Sequence, residues 1–201
     1  MSQGAPWLTM WAKPKSTIRE IVHSNPKQGV LILSAIYALD NFLFYANWWS
    51  LGISYPFYQI LLVAAILSPI AGFIWLYFMG WILHFTGRWL KGQAPSSHLR
   101  AALAWSRIPF SISVFMWVIL LAAHPDLTFV QDGGGPSSLF INFISLALGL
   151  WSLILLVQTL REVQGFTIRR ALSNVVLSFI ISFIIFFTLF NIIRYIYLVS
   201  R

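Results

Sequence analysis

Five long apolar stretches joined by short loops run through this 201-residue chain, and its basic residues collect in alternate loops. Only 9% of the residues are charged, 59% are hydrophobic and the mean hydropathy is +0.79. A water-soluble domain of that composition would expose large apolar patches, so the bilayer is the solvent. A helical span uses about 20 apolar residues. The pattern therefore predicts an all-α fold, a polytopic transmembrane bundle of five helices with short interfacial helices on the cytoplasmic side.

The predicted spans run from Gly29 to Trp49, Tyr55 to Phe85, Ile108 to Ala123, Ser138 to Leu160 and Leu172 to Val199. The second exceeds a hydrocarbon core of about 30 Å, which calls for tilt, a kink at Pro69 or an extension toward His84. Between spans two and three, Ser96 to Trp105 reads as an amphipathic helix on the cytoplasmic surface, with Leu99, Ala102 and Leu103 on one face. Pro109 suits the first turn of the third span, where its missing N–H costs nothing. Residues 1–28 read as a cytoplasmic interfacial segment and residues 29–201 as the membrane domain. In the former, Trp7, Leu8, Met10 and Trp11 alternate with cations in the manner of a chain lying at the headgroups. Thr17 with Glu20 reads as a capping box there, opening a short helix that Asn25-Pro26 is expected to stop.

Lys and Arg near span ends stay on the cytoplasmic side. Lys13, Lys15, Arg19 and Lys27 precede span one; Arg88, Lys91, Arg100 and Arg107 lie between spans two and three; Arg161, Arg169 and Arg170 lie between four and five. Of the 13 basic residues only Arg194 and Arg201 fall on the other side. An odd number of spans with this bias places the N-terminus in the cytoplasm and the C-terminus outside. The opposite loop carries Asp126 and Asp132 with Gly133-Gly134-Gly135-Pro136, a turn without Lys or Arg. The net charge of +8 is explained by topology and anionic headgroups, and nucleic acid is not an expected partner.

Asp40 is the foremost polar candidate, because an acid near the middle of a span is costly and marks function or a bundle pin. Asn41 beside it, and Asn191 and Arg194 on span five, complete the intramembrane polar set, and an Asp40–Arg194 pair is within reach of the long guanidinium side chain. The set supports two readings, a proton or cation relay and an interhelical pin. The lipid- or partner-facing surface is predicted from Lys13, Lys15, Arg19, Arg88, Lys91, Arg100, Arg107, Arg169 and Arg170. With no cysteine there is no thiolate nucleophile or thiolate metal site. The four histidines lack the i, i+4 partner of a zinc helix, and no hydrolase motif occurs. No enzyme activity and no cofactor are expected.

Trp11-Ala12-Lys13-Pro14-Lys15-Ser16-Thr17-Ile18-Arg19, the stretch from Gly92 to Pro109 ending Ala104-Trp105-Ser106-Arg107-Ile108-Pro109, and Leu160-Arg161-Glu162-Val163-Gln164-Gly165-Phe166-Thr167 resemble the Yip family of Ypt/Rab-interacting proteins in its prokaryotic branch. The resemblance covers nearly the whole chain. It implies a five-helix bundle with a cytoplasmic N-terminus and, for eukaryotic members, roles in vesicle traffic through prenylated small GTPases. Here the segment before span one is short and the Asp-Leu-Tyr-Gly-Pro motif of eukaryotic relatives is absent, which weighs against GTPase binding. The expected role is that of a non-enzymatic multi-pass protein, in the bacterial inner membrane, acting on anionic lipid headgroups, a membrane-protein partner or a second copy of itself. The alternative is a small transporter or channel with a polar path through Asp40, Asn41, Ser68-Pro69 and Asn191.

Overall fold

The computed structural model describes residues 5–131 and 136–199. Asp132, Gly133 to Gly135 and Arg201 lie outside the described residues. Among those described, eight α-helices and no strands occur: α1 (Pro6–Ala12), α2 (Pro14–Ser24), α3 (Val30–Trp48), α4 (Phe57–Trp89), α5 (Ser96–Trp105), α6 (Phe110–Ala123), α7 (Pro136–Gln164) and α8 (Ile168–Val199). Five helical segments are long and apolar enough to cross a bilayer: Val30–Trp48, Phe57–Trp89, Ser96–Ala123, Leu139–Gln164 and Ile168–Leu198.

The third of these is a broken helix. At about 1.5 Å per residue α6 alone reaches only some 21 Å, too little for a core of about 30 Å, and α5 supplies the rest. Pro109 causes the break: it has no N–H, and its ring would meet the carbonyl of Trp105 in a continued helix. Ile108 N–H donates to that carbonyl instead, at 3.3 Å, and Phe110 N–H donates to the Arg107 carbonyl at 3.0 Å. The backbone thus stays hydrogen-bonded where water is scarce. The prediction that Ser96 to Trp105 lies on the surface is overturned, for Leu99 and Ala101 to Trp105 are all buried. Small alanines let the short helix sit between α4, α7 and α2, and the periodicity marked one face only because those alanines read as weakly apolar.

Helix α4 continues through Pro69 and extends to Trp89, beyond the predicted end of the second span. It crosses α3 at a small-residue contact: a Cβ on Gly72 would run into the Ser34 carbonyl oxygen. Without a hydrophobic drive between helices in lipid, such close backbone approach is what holds two spans together. Helices α4 and α8 are joined by a buried polar cluster in which the Thr86 hydroxyl donates to Asn174 Oδ1 (2.5 Å) and lies 2.8 Å from Ser178 Oγ.

The N-terminal segment does not simply lie on a membrane surface. Met10, Ile18, Ile21 and Val22 join a core with Leu83, Leu99, Trp105 and Leu160. Trp105 organises it: its ring meets Trp7 edge-on at 5.5 Å and its Nε1–H donates to the Gln28 carbonyl at 3.0 Å. Gly29, at φ +68°, turns the chain into α3, and a Cβ there would stand 3.2 Å from the Trp105 ring. The capping box is not formed. Pro14 at the first position opens α2, so Thr17 lies inside the helix, donating to the Lys13 carbonyl at 2.9 Å. The stop before Asn25-Pro26 is as expected, with α2 ending at Ser24.

Candidate functional site

Three sets of polar side chains stand out. The first is Asp40, on the inward face of α3 and 4% exposed. Trp117 of α6 donates its Nε1–H to Asp40 Oδ1 at 3.0 Å, and buried Ser113, one turn earlier on α6, faces the same carboxyl. The group therefore ties α3 to α6.

Arg194 is not its partner. It stands exposed on α8, and Asn191, also exposed, donates to the Phe187 carbonyl of its own helix at 2.7 Å. Asn41 likewise turns back on α3, donating to the Tyr37 carbonyl at 2.7 Å. The predicted Asp40–Arg194 pair is overturned for a geometric reason: α8 packs on α4 and α7 and makes no comparable contact with α3. Asp40, Asn41, Ser68 and Asn191 do not line a common cavity among the described residues, because Asn191 lies on that separate helix.

The second set surrounds Arg107, predicted on the cytoplasmic surface and found buried at the α5–α6 break, 8% exposed. Its Nη1 donates to Ser152 Oγ of α7 at 2.9 Å. The guanidinium lies over Tyr37 of α3 (4.8 Å) and Trp75 of α4 (5.2 Å), and Nε has no partner among the described residues. The side chain thereby links four of the five spans. The planar ion suits two ring faces as a compact ammonium does not. We expect Arg107→Lys to lower the thermal unfolding midpoint in mild detergent, by about 1–2 kcal/mol in stability. Arg107→Met, which removes the buried charge at similar volume, should be the milder change. A midpoint for the Lys variant equal to or above that of the Met variant would refute the ring-stacking account.

The third set is basic and exposed. Arg19 Nε donates to Glu162 Oε1 at 2.6 Å, which ties α2 to α7 and raises the guanidinium pKa. A Cβ on Gly87 or Gly92 would run into Gln164, so the end of α4 abuts the end of α7. These two contacts bring the three basic loops to one end of the bundle. Lys13, Arg19, Lys27, Arg88, Lys91, Arg169 and Arg170 are exposed there and Lys15 is half-buried. Arg100 is not part of that surface, since its side chain lies along α4, over the Tyr77 ring at 4.6 Å and against Gly80. A cleft of about 540 Å³ opens between the α1–α2 junction and α7, its lining including Lys13, Lys15, Trp151, Ile154 and Gln158 and the Arg19–Glu162 pair. Among the described residues, no three His, Asp or Glu side chains gather where they could hold a metal ion.

Among known families, the Yip1 domain matches residues 8–190. The chain belongs to the Yip1 domain family. No curated protein and no solved structure matches it. The Yip1 match spans Asp40, Arg107 and every residue of the cleft, and it stops at Phe190, before Asn191 and Arg194. Membership and five apolar helical spans together make the chain a multi-pass membrane protein of the Yip1 type.

Sequence reasoning missed the roles of Tyr37, Trp75, Trp117 and Ser152. Each is an apolar-compatible residue within a span and carries no local mark of its polar partner. Arg107 alone carried a signal, since it stands between an apolar run and Pro109, where a surface loop would be more polar.

Proposed function

We propose that this Yip1-type protein is a non-enzymatic membrane scaffold whose basic end recognises anionic membrane surface. The observation that carries the reading is the gathering of Lys13, Lys15, Arg19, Lys27, Arg88, Lys91, Arg169 and Arg170 at one end of the bundle, with Glu20 and Glu162 the acidic residues among them. Each surface cation near an anionic leaflet adds about 1 kcal/mol of attraction, so the sum biases which membrane region the bundle occupies. The same charge asymmetry supports a cytoplasmic N-terminus in a bacterial inner membrane.

Asp40 supports the scaffold over transport. It is enclosed and hydrogen-bonded to Trp117, as a pin between α3 and α6 would be, and Asn191 of the predicted path lies exposed on α8.

The test is reconstitution into vesicles of mixed phosphatidylcholine and phosphatidylglycerol, with energy transfer from the protein's tryptophans to labelled phosphatidylglycerol. Enrichment of the anionic lipid around the protein is the expected result, falling as salt rises because exposed charges are screened beyond about 10 Å at 0.1 M. An identical signal from labelled phosphatidylcholine would reject the proposal.

A further inference from the structure

We infer that the cleft between the α1–α2 junction and α7 is a binding site for one anionic phospholipid, with the headgroup phosphate between Lys13 and Lys15 and an acyl chain along Trp151 and Ile154. This rests on the reading of the basic end as an anionic-membrane surface and narrows it to a single seat.

The polarity of the cleft walls runs in one direction. On α7, Glu162 and Gln158 mark the polar end, while Ile154 and Trp151, both exposed, mark the apolar end. From Glu162 to Trp151 the helix rises about 16 Å, at 1.5 Å per residue. A charged head followed by a hydrocarbon tail has that profile; a free phosphate needs no apolar wall, and a soluble acidic peptide would leave that wall facing lipid. Trp11 and Trp151 are of the residue type that prefers the depth where a headgroup meets its chains.

The charges are free for the task. Arg19 is held by Glu162, but neither Lys13 nor Lys15 takes part in an ion pair among the described residues. Ser16 Oγ donates to the Lys13 carbonyl at 3.1 Å, which fixes the α1–α2 corner from which both lysines project. Gln158 Oε1 already accepts from Arg161 Nη1 at 3.1 Å, leaving the amide nitrogen as a donor on the cleft wall. The volume, about 540 Å³, is that of a ligand cleft.

Native mass spectrometry of the full-length protein, released from detergent with phosphatidylglycerol and phosphatidylcholine present in equal amounts, reads single-lipid retention directly. We expect one tightly retained phosphatidylglycerol in the parent. Lys13→Gln with Lys15→Gln should lower its retention about tenfold or more. Ile154→Trp, which fills the apolar end without touching charge, should cause a comparable loss. Arg88→Gln with Lys91→Gln, at the same end but outside the cleft, should lower enrichment in vesicles yet leave single-lipid retention within about twofold. An equal fall in retention for the two charge pairs would overturn the cleft while leaving diffuse attraction by the basic end standing. No effect of Ile154→Trp would also overturn it, since charge alone would then suffice. Absence of any phosphatidylglycerol preference, in retention and in vesicles alike, would remove both the site and the reading beneath it.

Discussion

Gly72→Ala is expected to destabilise the bundle even though alanine is the better helix former. In a helix interior the exchange gains up to about 1 kcal/mol from propensity. Against that gain, the new Cβ would run into the Ser34 carbonyl oxygen and stand 2.9 Å from the Ala35 nitrogen. Both neighbours are backbone atoms of α3 and cannot rotate aside, so the two helices must separate along their length. Overpacking of this kind costs about 1–3 kcal/mol, and the close approach that holds α3 on α4 in lipid is lost with it. A net loss of about 1–2 kcal/mol, and more for Gly72→Val, is the expected outcome in detergent unfolding. Gly149→Ala on α7 provides the contrast: a Cβ there would have nothing within 4 Å, so that change should be neutral or stabilising. Equal behaviour of the two alanine variants would show that the α3–α4 crossing is looser than described.

Removing the donor to Asp40 is the second large effect. Trp117→Phe keeps most of the ring volume but deletes the N–H that donates to Oδ1 at 3.0 Å. The carboxyl, 4% exposed, then keeps only the facing Ser113 hydroxyl and has no solvent to turn to. A buried polar group stranded in this way costs about 1–3 kcal/mol, and more when it is charged. We expect a loss of about 2–3 kcal/mol from Trp117→Phe alone, and below about 1 kcal/mol when Asp40→Leu is already present. The lost volume contributes equally in both backgrounds, so the difference isolates the hydrogen bond. Equal losses in both would mean that the pair does not couple α3 to α6.

These two sites differ in how far they could be read from the chain. Asp40 was visible at once, because an acid within an apolar span is rare and must have a reason. Its partner was not, since Trp117 looks like any other aromatic in a sequence where Trp and Phe abound. Gly72 was invisible, because a glycine within a helical span reads the same whether it faces lipid or a neighbouring backbone. Arg107 and Arg100 were misplaced by the same logic that assigned the other cations to one end. Counting basic residues in a loop assigns them to the surface, yet the loop proved to be the buried break of a two-part span, where Tyr37 and Trp75 accept the Arg107 guanidinium on their ring faces.

The order of residues alone establishes that the chain is a five-span helical membrane protein, that its basic residues mark one end, and that it is of the Yip type. The first two properties follow from hydrophobic length and charge position, which are additive along the chain and need no knowledge of neighbours; the third rests on the resemblance of motifs such as Ala104-Trp105-Ser106-Arg107-Ile108-Pro109. It took packing in three dimensions to establish that the N-terminal helices join the core, that α5 and α6 make one broken span, and that Asp40 pairs with Trp117 rather than Arg194. The same packing sets Lys13 and Lys15 above an apolar cleft on α7. Each of these depends on which faces meet across distant segments, and in lipid that choice is made by close packing and single hydrogen bonds, which leave no periodic trace in the sequence.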